Sequence, residues 1–523
     1  DPARPPGHSQ RNTMVAHHGG AQQIVIVGGG LSGTALAIKL LHEARQALAI
    51  RLVEPSAQPG RGLAYSTEEP GHLVNGPALI FSLYPDKPEH FVDWLAAQPE
   101  FAGQPREAVA QAFAPRWRFG DYVNEELQRA REQALPGVTF EHVRARVDDI
   151  DVTGSGITLA LDAGRVLLAD RVVLALGVFQ SRPRFDASGA LTQAGRYVAD
   201  VWDRRRLAAL ADAEDIVLIG ASLTMIDAVV SLDKLGYSGT YRVLARHGLT
   251  PVERRNPAPA AAPFGDAGPP RSLRQVVREL RDRARAIVAH GGDWQALPGA
   301  LRAYTAEWWH SAALTDRRRF FRHVRPHWDV FLHRAPPVSA ALVAALRASG
   351  RLSIEAATVN DLAEAPAGRV SVRYRLRGGD EERTVLTQGV VNCTGPDYRW
   401  HAGSEQCLVR NLFARGLVQT GPVGLGIKVD ASLAAVAADG TVSPHLSVLG
   451  AALRGTIIEP GTVVEIANQT SKLSTRLLAA LSSPSSTTLR KAQAPGAAPV
   501  TATAAAEQRP QATPQAQVAT SAQ

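Results

Sequence analysis

Two apolar patterns recur along the chain in a fixed order. Residues 24–27 form a continuous apolar run, IVIV, and the segment after Gly33, TALAIKLLHEARQ, has apolar residues at helical spacing. A short apolar run followed by a glycine turn and a helical period predicts a buried parallel strand and then an amphipathic helix. The same order returns in DIVLIGASLTMIDAVVSLDKLG, residues 215–236. The pattern therefore predicts two similar α/β units within one chain.

The turn of the first unit carries Gly28, Gly30 and Gly33 at GxGxxG spacing. The first glycine permits the tight turn, the second lets a pyrophosphate approach the backbone, and the third lets the helix pack on the strand. Ser32 belongs to the same loop, and the helix N-terminus faces the phosphate charge. Glu54 stands at the end of the next predicted strand, where a carboxylate holds a ribose hydroxyl. We therefore predict that the first unit binds a dinucleotide, FAD.

The second unit repeats the arrangement with different residues. Gly220 corresponds to Gly28, and Arg246 follows Gly220 at the same offset at which Glu54 follows Gly28. An acidic residue suits a ribose diol and arginine suits a 2′-phosphate, so we predict NADPH here, with NADH as the alternative donor. Ser222 and Met225 stand where the motif has glycines, so a working nicotinamide site and a folded but empty domain both fit. The predicted NADPH-binding residues are Gly220, Ser222, Leu223, Thr224 and Arg246.

Each unit is predicted to end in a β-meander and a closing strand. Three strand-like runs, FEHVRARVDDIDV, ITLALD and RVLLADRVVLALG, end at Gly177, and LSIEAATV, RVSVRYRLRGG and DEERTVL precede VVNCTG at 390–395. A later apolar strand ends at Gly450 and is followed by Gly455, Thr456 and a long helix. In FAD enzymes such a strand and helix return to the first domain, with the helix N-terminus beside the flavin.

These elements predict an α/β protein with two Rossmann-like dinucleotide-binding domains, for FAD and NAD(P), with β-meander inserts and a helical insertion. The composition of the two ends, rich in Ala, Pro, Gln and small polar residues, predicts disordered tails. The predicted bounds are 1–20 for the N-terminal tail, 21–185 for the first part of the FAD-binding domain, 186–396 for the NAD(P)-binding domain with its helical insertion at about 251–349, 397–481 for the return segment of the FAD-binding domain, and 482–523 for the C-terminal tail.

The helical insertion contains DRRRFFRHVRPHWDVFLHRAPP, residues 316–337, in which arginines and histidines alternate with aromatics. Such residues can line a pocket for an anionic substrate and supply a proton donor. They can also form a helical face with solvated arginines and core aromatics. The candidates for a role at the site are His323, Arg325, His333 and Arg334, of which His323, His333 and Arg334 are the predicted catalytic residues.

Composition narrows the classes of function. The 523-residue chain has a net charge of +8 but no basic arm interleaved with aromatics, so we predict no nucleic-acid partner. Cys393 and Cys407 are the only cysteines, too few and too widely spaced for a redox dithiol or a four-ligand zinc site. No apolar segment reaches the roughly 18 residues of a membrane helix. The first 20 residues lack the apolar core of a signal peptide, so we expect a cytoplasmic protein with no metal centre.

The motifs together resemble one family of flavoproteins. The matching stretches are GGGLSG, RGLAYST, HLVNGP, PDKPEHFVDWL, PRWRFGDY, GASLTMID, RHGLTP, FRHVRPHWDV, NCTGP and RGT, which span residues 22–480. The chain resembles the FAD/NAD(P)-binding oxidoreductase family that includes FAD-dependent urate hydroxylases and aspartate N-monooxygenases. It departs from that pattern at Ser222, at Ile458–Glu459 and at Val464–Ala467. The resemblance implies FAD contacts at Arg61, Gly62, Asn75, Gly177, Gly450, Gly455 and Thr456, in addition to the glycine loop.

The same resemblance implies an FAD-dependent, NAD(P)H-driven monooxygenase. NADPH would reduce the flavin, and a flavin C4a-hydroperoxide formed with molecular oxygen would hydroxylate a small, anionic substrate. Urate is the most specific substrate that it suggests. An amino-acid N-hydroxylase using the same cycle and a non-catalytic, flavin-binding redox sensor are the alternatives. The sequence leaves the oligomeric state open.

Overall fold

The computed structural model describes residues 21–481 except 154–155, 181–184, 187, 259, 261–263, 265–267, 270–271 and 402–405. Both predicted tails lie outside the described residues. The strands are β1 Gln22–Val27, β2 Leu48–Val53, β3 Val138–Val143, β4 Val147–Thr153, β5 Gly156–Leu161, β6 Val166–Ala169, β7 Arg171–Leu174, β8 Phe179–Gln180, β9 Tyr197–Val198, β10 Asp215–Ile219, β11 Thr240–Ala245, β12 Leu352–Ala365, β13 Arg369–Leu376, β14 Glu382–Thr387, β15 Gly389–Asn392, β16 Pro396–Asp397, β17 Ala434–Val436 and β18 Val442–Val448.

Helices cover the sheets and build the insertion. They are α1 Leu31–Glu43, α2 His90–Ala96, α3 Arg106–Gln111, α4 Arg116–Glu132, α5 Ala190–Gln193, α6 Arg204–Ala208, α7 Leu223–Lys234, α8 Leu273–Ala289, α9 Leu297–Ser311, α10 Leu314–Arg319, α11 Arg325–Leu332, α12 Pro337–Ala348, α13 Cys407–Ala414 and α14 Val463–Leu481. Among the described residues, no helix combines the length and the apolar character needed to cross a membrane.

The first sheet has six strands in the order β17-β18-β7-β1-β2-β3. Strand β1 pairs in parallel with β2 and β7, and β18 pairs in parallel with β7 through Leu446 and Val172. Residues Ile24, Val25 and Ile26 have no exposed surface, as expected for a central strand covered on both faces. Helices α4 and α14 pack against α1. The predicted return of the segment that ends at Gly450 to the first sheet is therefore observed.

The second sheet has seven strands in the order β14-β13-β12-β11-β10-β15-β9. Strands β10, β11, β12, β15 and β9 pair in parallel, and β13 and β14 join as an antiparallel edge. Strand β12 is 14 residues long, so one strand belongs to both the parallel part and the meander. The fold is α/β, with two sheets, and a central strand of each sheet leads through a glycine turn into a helix.

The first meander differs from its prediction in two runs. FEHVRARVDDIDV splits into β3 of the six-stranded sheet and β4 of a separate three-stranded sheet, β4-β5-β6. RVLLADRVVLALG likewise splits, at Asp170, into β6 and β7. Apolar alternation continues across both breaks, so the pattern alone does not reveal that the chain changes sheets.

The helical insertion lies between β11 and β12 and has its own aromatic core. Trp308, Trp309, Phe320 and Trp328 are buried together, and Ile458 of the return segment packs with them. Five residues, 320–324, form a π-helical turn between α10 and α11. The indole Nε1 of Trp309 donates a hydrogen bond of 3.2 Å to the carbonyl oxygen of Gly455. The insertion is thus tied to the segment that returns to the first sheet.

Candidate active site

The first glycine loop has the backbone that its spacing predicts. Gly28 adopts φ +102°, and its N–H donates to the carbonyl of Val53 at 2.9 Å. A Cβ at Gly28 would overlap the carbonyl oxygen of Ala175, and one at Gly33 would overlap that of Gly28. Ser32 is buried in the first turn of α1. Glycine is required at both positions because β1, α1 and the end of β7 approach one another too closely for a side chain.

Gly30 and Gly62 lie close together beside an open space in front of α1, and a Cβ at Gly62 would be 3.1 Å from the Cα of Gly30. Among the described residues, and apart from the chain neighbours of Gly30, the only heavy atom within 4 Å of a Cβ built there is the Cα of Gly62, at 3.5 Å. Gly30 itself has an ordinary extended conformation that any residue adopts, φ −69° and ψ −169°. The backbone at Gly30 therefore does not require glycine. The absence of a side chain there keeps the space in front of α1 open. An opening at a helix N-terminus lined by two glycines fits a pyrophosphate.

Glu54 lies at the end of β2, next to the glycine loop. Its Oε2 accepts a hydrogen bond from the N–H of Gly29 at 2.8 Å, and its Oε1 accepts one from the N–H of Ser56 at 2.9 Å. Each carboxylate oxygen has further lone pairs that can accept a hydroxyl. Its position fits the predicted contact with a ribose hydroxyl.

The return segment contacts the same loop. A Cβ at Gly450 would overlap the hydroxyl of Ser32, and the N–H of Gly450 donates to Gln469 at 2.9 Å. Gly455 has φ +99°, and the buried hydroxyl of Thr456 has no hydrogen-bond partner among the described residues. The structure therefore places Gly450, which follows β18, against Ser32 of the first loop.

Three other predicted FAD contacts lie on loops around this opening. Arg61 forms an ion pair with Asp121, and its Nε has no hydrogen-bond partner among the described residues. The carbonyl of Asn75 accepts a hydrogen bond of 3.1 Å from Arg254. Gly177 has φ +67°, and a Cβ there would meet no atom of the described residues within 4 Å. A buried unpartnered donor and open glycines fit a bound group of the size of FAD.

The second glycine loop reproduces the backbone of the first. Gly220 has φ +107°, its N–H donates to Leu244 at 2.9 Å, and a Cβ there would overlap the carbonyl oxygen of Cys393. Ser222 precedes α7 with φ −91° and ψ −165°, close to the backbone of Gly30. Leu223 and Thr224 begin α7. The loop retains its shape although two of its three motif glycines are replaced.

Met225 stands at the position that Gly33 occupies in the first unit. Its side chain has no exposed surface, so it is packed in the core beside β10. A side chain of that length has to be accommodated between helix and strand, whereas α1 leaves no room for even a methyl group at Gly33. The replacement of this glycine therefore changes how the helix packs and leaves the phosphate-facing positions open.

Arg246 is exposed immediately after β11, at the edge predicted for a 2′-phosphate. Arg377 lies nearby, and its NH1 is 3.1 Å from Nδ1 of His247. Burial together with the charges of Arg377 and Arg246 lowers the pKa of His247. Arg377 is a second cation that the sequence analysis missed, because it belongs to a distant segment of the chain, after β13, and no motif marks it.

A cavity of about 60 Å³ is lined by residues of both halves of the chain. Leu63 and Phe179 line it from the first half, next to Gly62 and Gly177, and Thr224 and Asn392 line it from the second. The ends of β7 and β15 border this space, and ligands of α/β folds bind at the carboxyl ends of parallel strands.

A buried ion pair joins the two halves beside that cavity. Arg116 of α4 donates to both carboxylate oxygens of Asp227 of α7, at 2.6 and 3.0 Å. Nε2 of His72 lies 3.1 Å from the carbonyl oxygen of Asp227 and 2.9 Å from the hydroxyl of Ser231. The sequence analysis missed these residues, since 111 residues separate the two ends of the ion pair.

His333 lies in a cluster of charged groups between the insertion and the return segment. Its Nε2 is 3.3 Å from Oε2 of Glu459, and Arg454 donates to the same oxygen at 3.2 Å. Burial lowers the pKa of His333, but its hydrogen bond to Glu459 and the carboxylate charge outweigh burial and raise it. Burial raises the pKa of Glu459, but His333 and Arg454 outweigh burial and lower it to about 2. The geometry favours a protonated histidine beside an ionised carboxylate.

Arg325, Asp329 and Tyr398 extend this cluster. Nε of Arg325 is 3.4 Å from Oδ2 of Asp329, and the guanidinium of Arg454 lies over the ring of Tyr398, 5.0 Å from its centroid. Ligand atoms of Asp329, His333 and Glu459 lie within 4.8 Å of one another, which is close enough to surround a metal ion. The two arginines beside these carboxylates oppose a further cation, so the arrangement fits an ion-pair network better than a metal site.

The three predicted catalytic residues do not lie together. His323 is exposed on the π-helical turn, outside the cluster around His333. Arg334 is 4% exposed and donates to the side-chain oxygen of Gln295 at 3.1 Å, so it belongs to a different group of residues. His323 belongs to the π-helical turn, whereas His333 and Arg334 follow the end of α11. Residues of one sequence cluster therefore have different surroundings.

One family model matches the stretch that contains the first glycine loop. Residues 25–179 match a model described as FAD-NAD(P)-binding. No curated protein matches the sequence.

Solved structures of three enzymes share the fold. An ornithine N-hydroxylase from Kutzneria sp. 744, with reduced FAD, NADP+ and L-ornithine, is 14% identical with a TM-score of 0.59, and the match covers 88% of this chain and 100% of that one. An L-lysine 6-monooxygenase from Pseudomonas syringae is 15% identical with a TM-score of 0.59, and the match covers 88% of this chain and 100% of that one. An FAD-bound cadaverine monooxygenase from Erwinia amylovora is 13% identical with a TM-score of 0.57, and the match covers 88% of this chain and 95% of that one. At these identities the likeness shows a common fold and no more.

Proposed function

We propose that this protein is an FAD-dependent, NADPH-driven monooxygenase that hydroxylates a small, anionic substrate. The observation that carries the proposal is the pair of glycine loops. Each is held by an N–H to carbonyl bond of 2.9 Å and by a glycine without room for a side chain, and residues of both halves of the chain line one cavity. One chain with two such loops suits electron transfer from one dinucleotide to another.

In this proposal FAD occupies the first unit. Gly28, Gly33 and Gly450 shape the loop, with Ser32 beside them, and Gly30 and Gly62 leave the space for the pyrophosphate. Glu54 accepts a ribose hydroxyl. Loops carrying Arg61, Asn75, Gly177, Gly455 and Thr456 surround the remainder of the cofactor. The unpartnered Nε of Arg61 and hydroxyl of Thr456 are the donors that a cofactor would satisfy.

NADPH occupies the second unit. Gly220 and Ser222 leave room for its pyrophosphate to approach the backbone at the N-terminus of α7. Leu223 and Thr224 are the first two residues of that helix. Arg246 binds the 2′-phosphate because it is exposed at the strand end and forms no ion pair with a carboxylate among the described residues. NADH, which lacks that phosphate, would serve as the weaker donor.

The residues of this chain hold the reactants and manage protons. Bound FAD supplies the redox chemistry, taking a hydride from NADPH and activating molecular oxygen. We propose that His333 is the proton donor. Its Nε2–H donates to Glu459, and its Nδ1 carries the second proton, which it can release. The cysteines take no part as a dithiol, because Cys393 is buried and Cys407 is exposed, and both are free.

Two substrates follow from different observations. Urate, an anionic purine, is suggested by the resemblance of the sequence motifs. N-hydroxylation of an amino acid is the alternative, and the fold shared with ornithine-, lysine- and cadaverine-hydroxylating enzymes supports it.

Anaerobic mixing of the FAD-loaded protein with NADPH tests the central claim. We expect bleaching of the flavin absorbance, followed under air by oxygen uptake that the true substrate stimulates. Urate, aspartate and ornithine are screened in parallel to separate the two substrate hypotheses. A flavin that NADPH does not reduce would rule out the monooxygenase and favour a redox sensor with an empty second unit.

A further inference from the structure

The guanidinium group of Arg116 is oriented by the first half of the chain. The backbone N–H of Arg116 donates to the carbonyl of His72 at 2.8 Å, and its Nε donates to the carbonyl of Leu73 at 3.1 Å. Its two terminal nitrogens donate to the two carboxylate oxygens of Asp227 in the second half, at 2.6 and 3.0 Å. A planar group bonded through three nitrogens has one orientation, so Asp227 is held at a fixed place relative to the first half.

His72 makes a second connection to the same helix, α7. It is 1% exposed, and its Nε2 lies 3.1 Å from the carbonyl oxygen of Asp227 and 2.9 Å from the hydroxyl of Ser231. The backbone next to His72 approaches α7 so closely that a Cβ at Gly71 would lie 2.6 Å from Cγ1 of Val230. Side chains and backbone of the first half therefore hold α7 over its middle turns.

Trp202 connects this contact to the cavity that residues of both halves line. Its Nε1 donates to Oδ2 of Asp227 at 3.3 Å, and Trp202 is one of the residues that line the cavity. Thr224, which precedes Asp227 by one turn of α7, lines the same cavity. The ion pair and the N-terminus of α7 are thus linked through one turn of helix and one indole ring.

The residues of this contact come from distant stretches of the sequence. His72 belongs to HLVNGP, Arg116 to PRWRFGDY and Asp227 to GASLTMID. The proposed cofactor sites use only the glycine and the residues up to Thr224 in the third of these stretches. The fold brings all three stretches together on α7.

The placement of α7 matters for the proposed function. Ser222, Leu223 and Thr224 at its N-terminus are proposed to hold NADPH, whereas FAD is proposed to occupy the first half. Groups held on separate parts of a protein react fast only when the reacting atoms are about 3–3.5 Å apart, and a misplacement of about 1 Å lowers a rate by about 10²-fold. A contact that fixes α7 on the first half therefore fixes the distance between the two bound dinucleotides.

We infer that Arg116, His72 and Asp227 are positioning residues for flavin reduction, which hold the NADPH-binding helix at the working distance from FAD. This inference rests on the proposed function. Asp227 is 5% exposed and its oxygens are bonded to Arg116 and Trp202, so it acts through α7 and not by touching a cofactor. Loss of the ion pair should therefore slow flavin reduction without weakening the binding of either dinucleotide.

Anaerobic stopped-flow reduction of the FAD-loaded full-length protein by saturating NADPH tests the inference. Asp227→Asn should lower the reduction rate about tenfold or more, while the Kd for NADP+ in calorimetric titration stays within about twofold. Arg116→Lys keeps the charge without the paired geometry and should give an intermediate rate. Reduction by dithionite, which needs no dinucleotide site, should be unchanged. Asp233→Asn, exposed on the same helix, is the matched control and should leave the rate within about twofold.

Distances between spin labels give a second readout that needs no turnover. Glu132→Cys at the end of α4 and Lys234→Cys at the end of α7 are exposed labelling positions on the two helices that the ion pair joins. Cys407→Ser removes the exposed native thiol, and Cys393 is buried. In the full-length protein, with and without FAD, we expect a narrow distribution of distances that Asp227→Asn broadens or displaces.

Three results would overturn the inference. One is a reduction rate within twofold of wild type in both Asp227→Asn and Arg116→Lys. Another is a Kd for NADP+ raised about tenfold with an unchanged rate at saturation, which would assign the ion pair to cofactor binding. The third is a lowered rate with an unchanged distribution of distances, which would place the effect within α7.

Arg116→Lys decides by the same measurements if Asp227→Asn fails to retain FAD. Failure of the wild-type protein to bind FAD or to be reduced by NADPH would instead refute the proposed function, whatever the distances between the labels.

Discussion

Replacing Gly30 with valine separates the role of a glycine in binding from its role in folding. A Cβ at Gly30 meets only the Cα of Gly62, at the ordinary contact distance of 3.5 Å. The backbone there, φ −69° and ψ −169°, is one that valine adopts without strain. The apoprotein should therefore fold normally, while the isopropyl group fills the space in front of α1 that the pyrophosphate needs.

The magnitudes follow from those contacts. A glycine replaced at an unstrained, uncrowded position should change the free energy of unfolding of the apoprotein by less than about 1 kcal/mol. FAD present at 100 times its Kd stabilises a protein that binds it by about 2.7 kcal/mol. Gly30→Val should lose this entire cofactor-dependent increment and keep the stability of the apoprotein.

Gly33→Ala is the matched control, on the same turn. Its Cβ would overlap the carbonyl oxygen of Gly28 and lie 3.1 Å from Cγ2 of Ile26. Helix α1 would have to move away from β1, at a cost of about 1–3 kcal/mol or more. This variant should therefore lose stability with or without FAD, unlike Gly30→Val.

Thermal unfolding with and without added FAD, together with the flavin absorbance after gel filtration, measures both effects. We expect Gly30→Val to elute colourless with the melting temperature of the wild-type apoprotein. A Gly30→Val protein that retains the wild-type flavin content would refute the assignment of this opening to the pyrophosphate. A Gly33→Ala protein as stable as wild type would refute the packing argument.

The remaining predictions concern the second unit, the interface and the histidine. Arg246→Ala should raise the KM for NADPH about tenfold and that for NADH less than twofold in steady-state assays, because only NADPH carries the 2′-phosphate. Asp227→Asn leaves the charge of Arg116 buried and unpaired, and should lower the free energy of unfolding by about 3 kcal/mol in denaturant titrations. His333 has a raised pKa, so its pairing with Glu459 stabilises the fold fully below pH 6.5 and is lost as pH rises through the folded pKa. The melting-temperature difference between wild type and His333→Gln should therefore be larger at pH 6 than at pH 9.

Each variant has a control of the same residue type. Arg375→Ala, at an exposed arginine of β13, should leave both KM values unchanged, and equal effects of Arg246→Ala on NADPH and NADH would contradict the phosphate contact. Asp233→Asn, exposed on the same helix as Asp227, should change stability by less than about 0.5 kcal/mol. His290→Gln, at an exposed histidine, should show no pH-dependent difference. A constant difference for His333→Gln at the two pH values would argue against its pairing with an ionised Glu459.

Much of the cofactor site was predictable because its requirements are local. Gly28 and Gly220 each have a positive φ and no room for a side chain. Both requirements arise within a few residues of a strand end, so the sequence shows them as a recognisable position of glycine. The buried face of α4, with Phe119, Tyr122 and Leu127, likewise follows from helical period. The sheet breaks near β3 and β6 were missed because alternation continues across them.

Clusters that depend on distant segments were predicted in part or not at all. His333 was identified as a candidate, but its partner Glu459 lies 126 residues away and appeared in the sequence only as a departure from a motif. His323 and Arg334 were grouped with it by proximity in the chain, whereas the π-helical turn and the end of α11 separate them. The Arg116–Asp227 pair carried no sequence signal.

The sequence by itself determined the two strand–glycine–helix turns, the acidic and basic residues that follow each of them, and the α/β class, because backbone conformation and apolar periodicity are encoded in short windows. The tertiary structure alone decided which side chains meet. His333 meets Glu459, and Arg116 meets Asp227, only after segments far apart in the chain have packed together. Electrostatic surroundings arise from that packing, so a residue list cannot contain them.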